Sequence, residues 1–166
     1  MVVGMRHLSF FLVAVILAAA YAQDTPVEVR SQIYVVSEVT TDGGVVEERF
    51  SEATRARPGQ VVEYRLFAVN VGETTLPAGQ VRIIGPVPEG TTFVEGSATP
   101  TSDRVLTEYS GDEGVTYSEP PVLVTRNDVP VLVEAEDYTA VRWTLLMPLE
   151  PGAEEVLRYR VVIMDR

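Results

Sequence analysis

The chain has no cysteine and no lysine, and its single histidine, His7, sits in an apolar stretch near the N-terminus. Beyond that stretch there is no imidazole base, no thiolate nucleophile, no amine for a Schiff base and no Cys/His set for zinc. Without cysteine no disulfide can staple the fold. Stability has to come from a hydrophobic core, which a chain of 166 residues can supply. Acid is in surplus: 24 Asp and Glu stand against 13 Arg, for a formal net charge of −11. Such a field repels nucleic acid and anionic lipid, so neither is an expected partner.

The N-terminal residues read as a leader. Met1 to Arg6 carries one positive charge, the run from Leu8 to Ala20 is apolar apart from Ser9, and Ala20-Tyr21-Ala22 has the small-x-small form of a cleavage site. This pattern predicts a cleaved signal peptide over residues 1–22, with Met5 as an alternative start. The apolar run is shorter than the roughly 20 residues that cross a bilayer, which weighs against an uncleaved anchor. No cysteine follows it to accept a lipid, and no later segment is apolar enough to span. The expected product is exported, to the periplasm, the cell surface or the medium. Cleavage would remove Arg6 and no acid, leaving one domain-sized chain still more acidic than the whole.

Beyond the leader the apolar period is two. The stretches 32–40 and 45–50 are β-branched and flank Asp42-Gly43, which predicts a two-residue hairpin turn. Val62, Tyr64, Leu66 and Ala68 alternate after the turn at Arg57-Pro58-Gly59, and Val81 and Ile83 continue the pattern. The prolines of Gly85-Pro86-Val87-Pro88-Glu89-Gly90 keep that segment out of a central ladder position. Residues 91–95 form a further short strand by the same reading. Residues 110–114 are expected to join strands at 105–109 and 115–117 as a second hairpin. Val141, Trp143 and Leu145 alternate, as do Leu157, Tyr159, Val161 and Ile163 after the turn at Pro151-Gly152. No segment after the leader has helical periodicity. The expectation is an all-β fold, an antiparallel β-sandwich.

Several segments also resemble a known family. The run from Pro58-Gly59 through Tyr64 to Asn70-Val71-Gly72 is similar to the "PG…v.Y.i.v.N.G" opening of the conserved repeat domain of bacterial and archaeal envelope proteins, known as domain of unknown function 11. Val87-Pro88-Glu89-Gly90-Thr91-Thr92-Phe93-Val94-Glu95-Gly96-Ser97 resembles its "lP.gt.fv.gS" element. Tyr109-Ser110-Gly111-Asp112-Glu113-Gly114 resembles its "ySvDgG" hairpin, and Tyr138 to Leu145 with Leu149-Glu150-Pro151-Gly152 its "yt.vRW.l…L.PG" ending. The four elements fall in the family's order across roughly residues 58–163. The family has Asp where Gly85 stands here. The resemblance implies an immunoglobulin-like, Greek-key sandwich over 58–166 on an exported protein, with 23–57 as an N-terminal hairpin extension. It implies no reaction.

The candidate functional residues have structural counterparts to weigh. Asn70 before Gly72 suits a ligand contact or, better, a turn-stabilising amide. Trp143 could stack on a sugar, but its alternation with Val141 and Leu145 places it in the core. Asp112-Glu113, Glu134, Glu136-Asp137 and Glu154-Glu155 could supply a glycosidase pair or oxygen ligands for calcium, though no motif for either is present. Serine hydrolysis would need a lysine or terminal amine as base, and Gln23, at the expected mature N-terminus, tends to cyclise. No catalytic, cofactor or metal site is therefore expected. The expected function is a non-catalytic envelope module acting in structure, adhesion or protein–protein interaction, with a glycan- or calcium-binding sandwich as the alternative. Other envelope or surface proteins are the expected partners, with self-association by strand addition a second route. The hairpin within 23–57 is expected to complete either this chain's own sheet or a neighbour's. Cleavage after Ala22 gives the first prediction: intact-mass analysis of exported protein should find a chain beginning at Gln23, as pyroglutamate, and no full-length species in the membrane fraction.

Overall fold

The computed structural model describes residues 11–12, 26–52 and 54–165. The expected signal peptide, 1–22, falls outside these apart from one two-residue strand. The strands are β1 Phe11–Leu12, β2 Val27–Thr40, β3 Val46–Glu52, β4 Arg55–Ala56, β5 Val61–Asn70 and β6 Arg82–Pro86. They continue with β7 Thr91–Phe93, β8 Val105–Ser110, β9 Leu123–Arg126, β10 Val129–Leu132, β11 Ala140–Leu145 and β12 Glu154–Ile163. The fold is all-β: among the described residues the sole helical turn is a short 3-10 turn at Ala135–Asp137. One antiparallel sheet has the order β3-β2-β5-β12-β7, and a second has the order β6-β11-β8. Two further pairings, β9 with β10 and β1 with β4, stand outside these sheets.

Alternation decides which face of each strand is buried. On β5 the residues Val62, Tyr64, Leu66 and Ala68 are buried, as their spacing predicts, and so are Leu157, Tyr159, Val161 and Ile163 on β12. Val141, Trp143 and Leu145 do the same for β11, with Trp143 fully enclosed. The two sheets meet through these side chains. The Trp143 ring lies 5.9 Å from that of Tyr159, which stacks on Tyr64 at 5.0 Å. Both polar groups are satisfied: Trp143 Nε1 donates to Thr99 O at 3.2 Å and Tyr159 Oη to Pro86 O at 2.6 Å. Burial pushes the Tyr64 phenol up to about 12.

Gly85 on β6 lies under this aromatic pair. A Cβ there would stand 2.7 Å from Tyr159 Cε1 and 3.0 Å from Trp143 Cζ3, so the sheets can approach this closely only because the position has no side chain.

The N-terminal hairpin joins this chain's own sheet, where β2 runs antiparallel to β5 from Val27↔Asn70 to Val36↔Val61. Beyond Val36, β5 has ended. The ribbon of Ser37–Thr40 against Val46–Arg49 continues with no third strand beside it, every residue of it exposed, and Glu48 ties it by side chain to Arg160 of β12.

One turn and two strand expectations need correction. The hairpin at Asp42-Gly43 is not a two-residue turn. Thr41 N–H bonds Val45 O and Gly44 N–H bonds Thr41 O, both at 2.8 Å, so the loop spans Asp42 to Gly44. Gly44 takes the left-handed conformation at φ 77, the three-residue hairpin geometry. The expected strand at 115–117 is a loop, tied to β8 by a single bridge, Tyr109↔Ser118, because Thr116 donates its N–H and hydroxyl to the Asp112 carboxylate instead of joining the ladder. The strand expected at 91–95 stops at Phe93; Val94 N–H goes instead to Arg160 O. The β9–β10 hairpin was not among the expected elements. Its turn residues Asn127 and Asp128 both have positive φ, as a two-residue primed turn requires.

Trp143→Ala should cost about 3–5 kcal/mol in a denaturant melt, the loss typical of a buried large aromatic. Gly85→Ala should cost about 1–3 kcal/mol through overpacking alone, with unchanged m-value, because Tyr159 is braced by its bond to Pro86 and by Tyr64.

Candidate functional site

The outer face of the five-stranded sheet carries a buried charge. Glu63 on β5 is fully enclosed, and both its oxygens are occupied: Arg65 Nε donates to Oε1 at 2.6 Å and Arg160 Nε to Oε2 at 2.8 Å. Arg160 then spends its two terminal nitrogens on Glu48 of β3, at 2.6 and 2.8 Å. The Arg65 guanidinium lies 4.5 Å from the Tyr34 ring and 4.6 Å from that of Phe50. These bonds reach from β3 to β12 across β2 and β5, so they clamp the hairpin down on the sheet. The donation to Glu48 raises the Arg160 pKa, and the same bond lowers that of Glu48. Two guanidinium groups occupy both oxygens of Glu63, the coordination a buried carboxylate needs to be tolerated.

The outer face of the three-stranded sheet is different. Side chains of Ile84, Pro86 and Ala140 floor a groove of about 880 Å³, within the range of small-ligand sites. Its wall is the loop after β8, with Glu113, Gly114 and Tyr117, and its rim includes Arg82 and Glu89. Arg142 is immobilised there. Its Nε and one terminal nitrogen donate to Glu108 Oε2 at 3.0 and 2.7 Å, and its guanidinium lies 4.2 Å from the Tyr117 ring. Arg82, Glu89 and Glu113 have no ion pair among the described residues, so donors and acceptors surround an apolar floor. That combination can hold a ligand rich in hydroxyls.

The candidate carboxylates are scattered. Asp112 organises its own loop: Ser110 Oγ donates to it at 2.8 Å, Thr116 N–H at 2.9 Å and Thr116 Oγ1 at 2.6 Å. Partial burial pushes its pKa up, but those bonds outweigh burial and hold the carboxyl below its usual range. Glu113 lies on the groove wall; Glu134 and Glu136 face a separate shallow depression beside β7, and Asp137 is exposed. Glu154 pairs with Arg30 at 3.2 Å and Glu155 with Arg104 at 2.9 Å. Among the described residues no three acids come together as a metal-binding group. Asn70 is buried and structural: its amide donates to Thr74 O and Leu149 O, at 2.8 and 2.9 Å, and accepts from Gly72 N–H at 2.9 Å. The groove and the Glu63 cluster were missed from sequence. The alternation Glu63-Tyr64-Arg65 opposite Arg158-Tyr159-Arg160 was the available signal, since it puts opposite charges on one sheet face.

Against known proteins the chain matches no family model, no curated protein and no solved structure. No helix among the described residues is long and apolar enough to cross a membrane.

Arg160→Met should cost about 3–5 kcal/mol, because it leaves the buried Glu63 with a single cation. Glu48→Gln, at the exposed end of the cluster, should cost about 1 kcal/mol or less. Asp112→Asn should cost about 1–2 kcal/mol at neutral pH. Since the folded Asp112 pKa lies below the unfolded value of about 3.9, its contribution is complete above that value and vanishes as pH falls through the folded one. In thermal melts the difference between wild type and variant should therefore be constant above about pH 4 and shrink as pH falls below it.

Proposed function

We propose that this chain is an exported, non-catalytic envelope module, an immunoglobulin-like Greek-key sandwich of the domain of unknown function 11 type, that works by binding other surface proteins. The family assignment rests on the motif residues in 58–163. It is supported by what those motifs do: Asn70 bonds the loop at Thr74 and Leu149, Trp143 fills the core, and Asp112 ties the loop after β8. The observation that carries the binding role is the β2–β3 ribbon, which projects past the end of β5 with Val39, Val45 and Val46 exposed. A two-stranded ribbon is marginal in water, so it gains by acquiring a cover. The paired Leu123 and Leu132 on β9–β10 add a second exposed apolar surface.

Photo-crosslinking from the ribbon in intact cells tests this. Envelope proteins should be captured by a probe at Val46 and not by one at Arg158, an exposed residue of β12. Turnover of a glycoside, ester or peptidoglycan that one Asp or Glu substitution abolishes would overturn it.

The groove on the second sheet favours a glycan-binding reading as the alternative. In that case Tyr117→Ala and Arg142→Ala should each weaken glycan-array binding at least about tenfold, while the ribbon probes capture nothing.

A further inference from the structure

We infer that the partner of β3 is a second copy of this chain, added edge to edge and antiparallel about a two-fold axis at Glu48. The inference rests on the binding role proposed above and names its partner. Among the described residues β3 is the terminal strand of the five-stranded sheet, and its outer edge has no strand beside it. It has seven residues with neither proline nor glycine. The other edges are less available: β7 has three residues, β6 contains Gly85 and ends on Pro86, and β8 is engaged by Ser118 and the Thr101 hydroxyl. Charged residues on an edge strand normally repel a copy of themselves, and β3 carries Glu47, Glu48, Arg49 and Glu52.

Here the order of signs matters. Two antiparallel strands related by a two-fold axis keep the same side chains on the same face, so the axis must pass at a residue facing its own copy. With the axis at Arg49, two arginines oppose each other; at Glu47, two unpaired glutamates do; at Phe50, Glu48 faces Glu52. With the axis at Glu48, Glu47 faces Arg49 of the second copy twice on one side of the sheet. On the other side Val46 faces Phe50 twice. The glutamate that meets itself on the axis is the one already neutralised, by two hydrogen bonds from Arg160 within its own chain. This register therefore matches every charge it opposes or finds it already satisfied, and it covers exposed Val46 and half-exposed Phe50. The ten strands would form one continuous sheet, with both projecting ribbons covered.

The test is a charge swap followed by analytical ultracentrifugation of the exported chain. Wild type should show a monomer–dimer equilibrium. Glu47→Arg alone and Arg49→Glu alone should each weaken it about tenfold or more, since each puts two like-charged pairs in register. An equimolar mixture of the two single variants should restore dimer as a heterodimer, and the double variant E47R/R49E should restore the homodimer. Thermal melts taken at concentrations where wild type is monomeric should be unchanged in the single variants, which excludes misfolding. Wild type that stays monomeric up to about millimolar concentration would overturn the inference while leaving binding to a different protein in place. Dimerisation that both single variants retain would also overturn it, by placing the contact on another face. Crosslinking in cells to foreign proteins alone would do so as well, and would separate this failure from that of the binding role.

Discussion

The structure depends on how closely the two sheets approach at Gly85. Sheets that pack face to face sit about 10 Å apart, set by the side chains between them. Here the filling is a full-size indole against a phenol that is itself stacked on a second tyrosine. Such a stack leaves no room opposite, and β6 meets it with bare backbone. The same contact satisfies the two polar atoms it buries, through Thr99 and Pro86. Because the Thr99 carbonyl belongs to the segment between β7 and β8, and Pro86 to the edge of the smaller sheet, one aromatic cluster also fixes the connections around the core.

The second organising feature is electrostatic. Arginine is the chain's sole cationic side chain apart from His7, and its planar fork is used repeatedly for paired contacts. Arg160 divides its nitrogens between Glu63 and Glu48, Arg142 lies on Tyr117 while bonding Glu108, and Arg65 lies between two aromatic rings beside Glu63. A lysine ammonium could pair with one of these carboxylates but could not hold the planar, two-directional geometry. These contacts cross strands and connect the N-terminal hairpin to β12, which is why the hairpin behaves as part of the larger sheet.

On this frame the surface divides into separate regions. The groove beside Arg142 and Tyr117 has mixed polarity and a shape suited to a small or extended ligand. The ribbon and the β9–β10 hairpin offer apolar side chains with free backbone edges, which suits protein contacts. Net negative charge keeps such edges from indiscriminate pairing, so any association must be specific in register.

Sequence alone determined which side chains face the core. A period of two admits a single assignment once one face is apolar, so Val62 through Ala68 and Leu157 through Ile163 were legible from the spacing of their apolar residues. It also showed the chemistry the chain lacks, because residue types can be counted. Turns were less legible. Asp42-Gly43 marked a hairpin, but whether Gly43 or Gly44 takes the left-handed conformation depends on the strand register on either side. The loop at Asp112 read as a hairpin because the competing side-chain bonds from Ser110 and Thr116 are not visible in a propensity pattern. Only the tertiary structure decided which strands are neighbours: β5 lies between β2 and β12, so Glu63 lies between Arg65 and Arg160 and becomes buried. Strand order is set by the packing of the whole sheet, so the alternation of Glu63 and Arg65 on β5 shows a charged face but not that Arg160 of β12 and Glu48 of β3 complete the cluster.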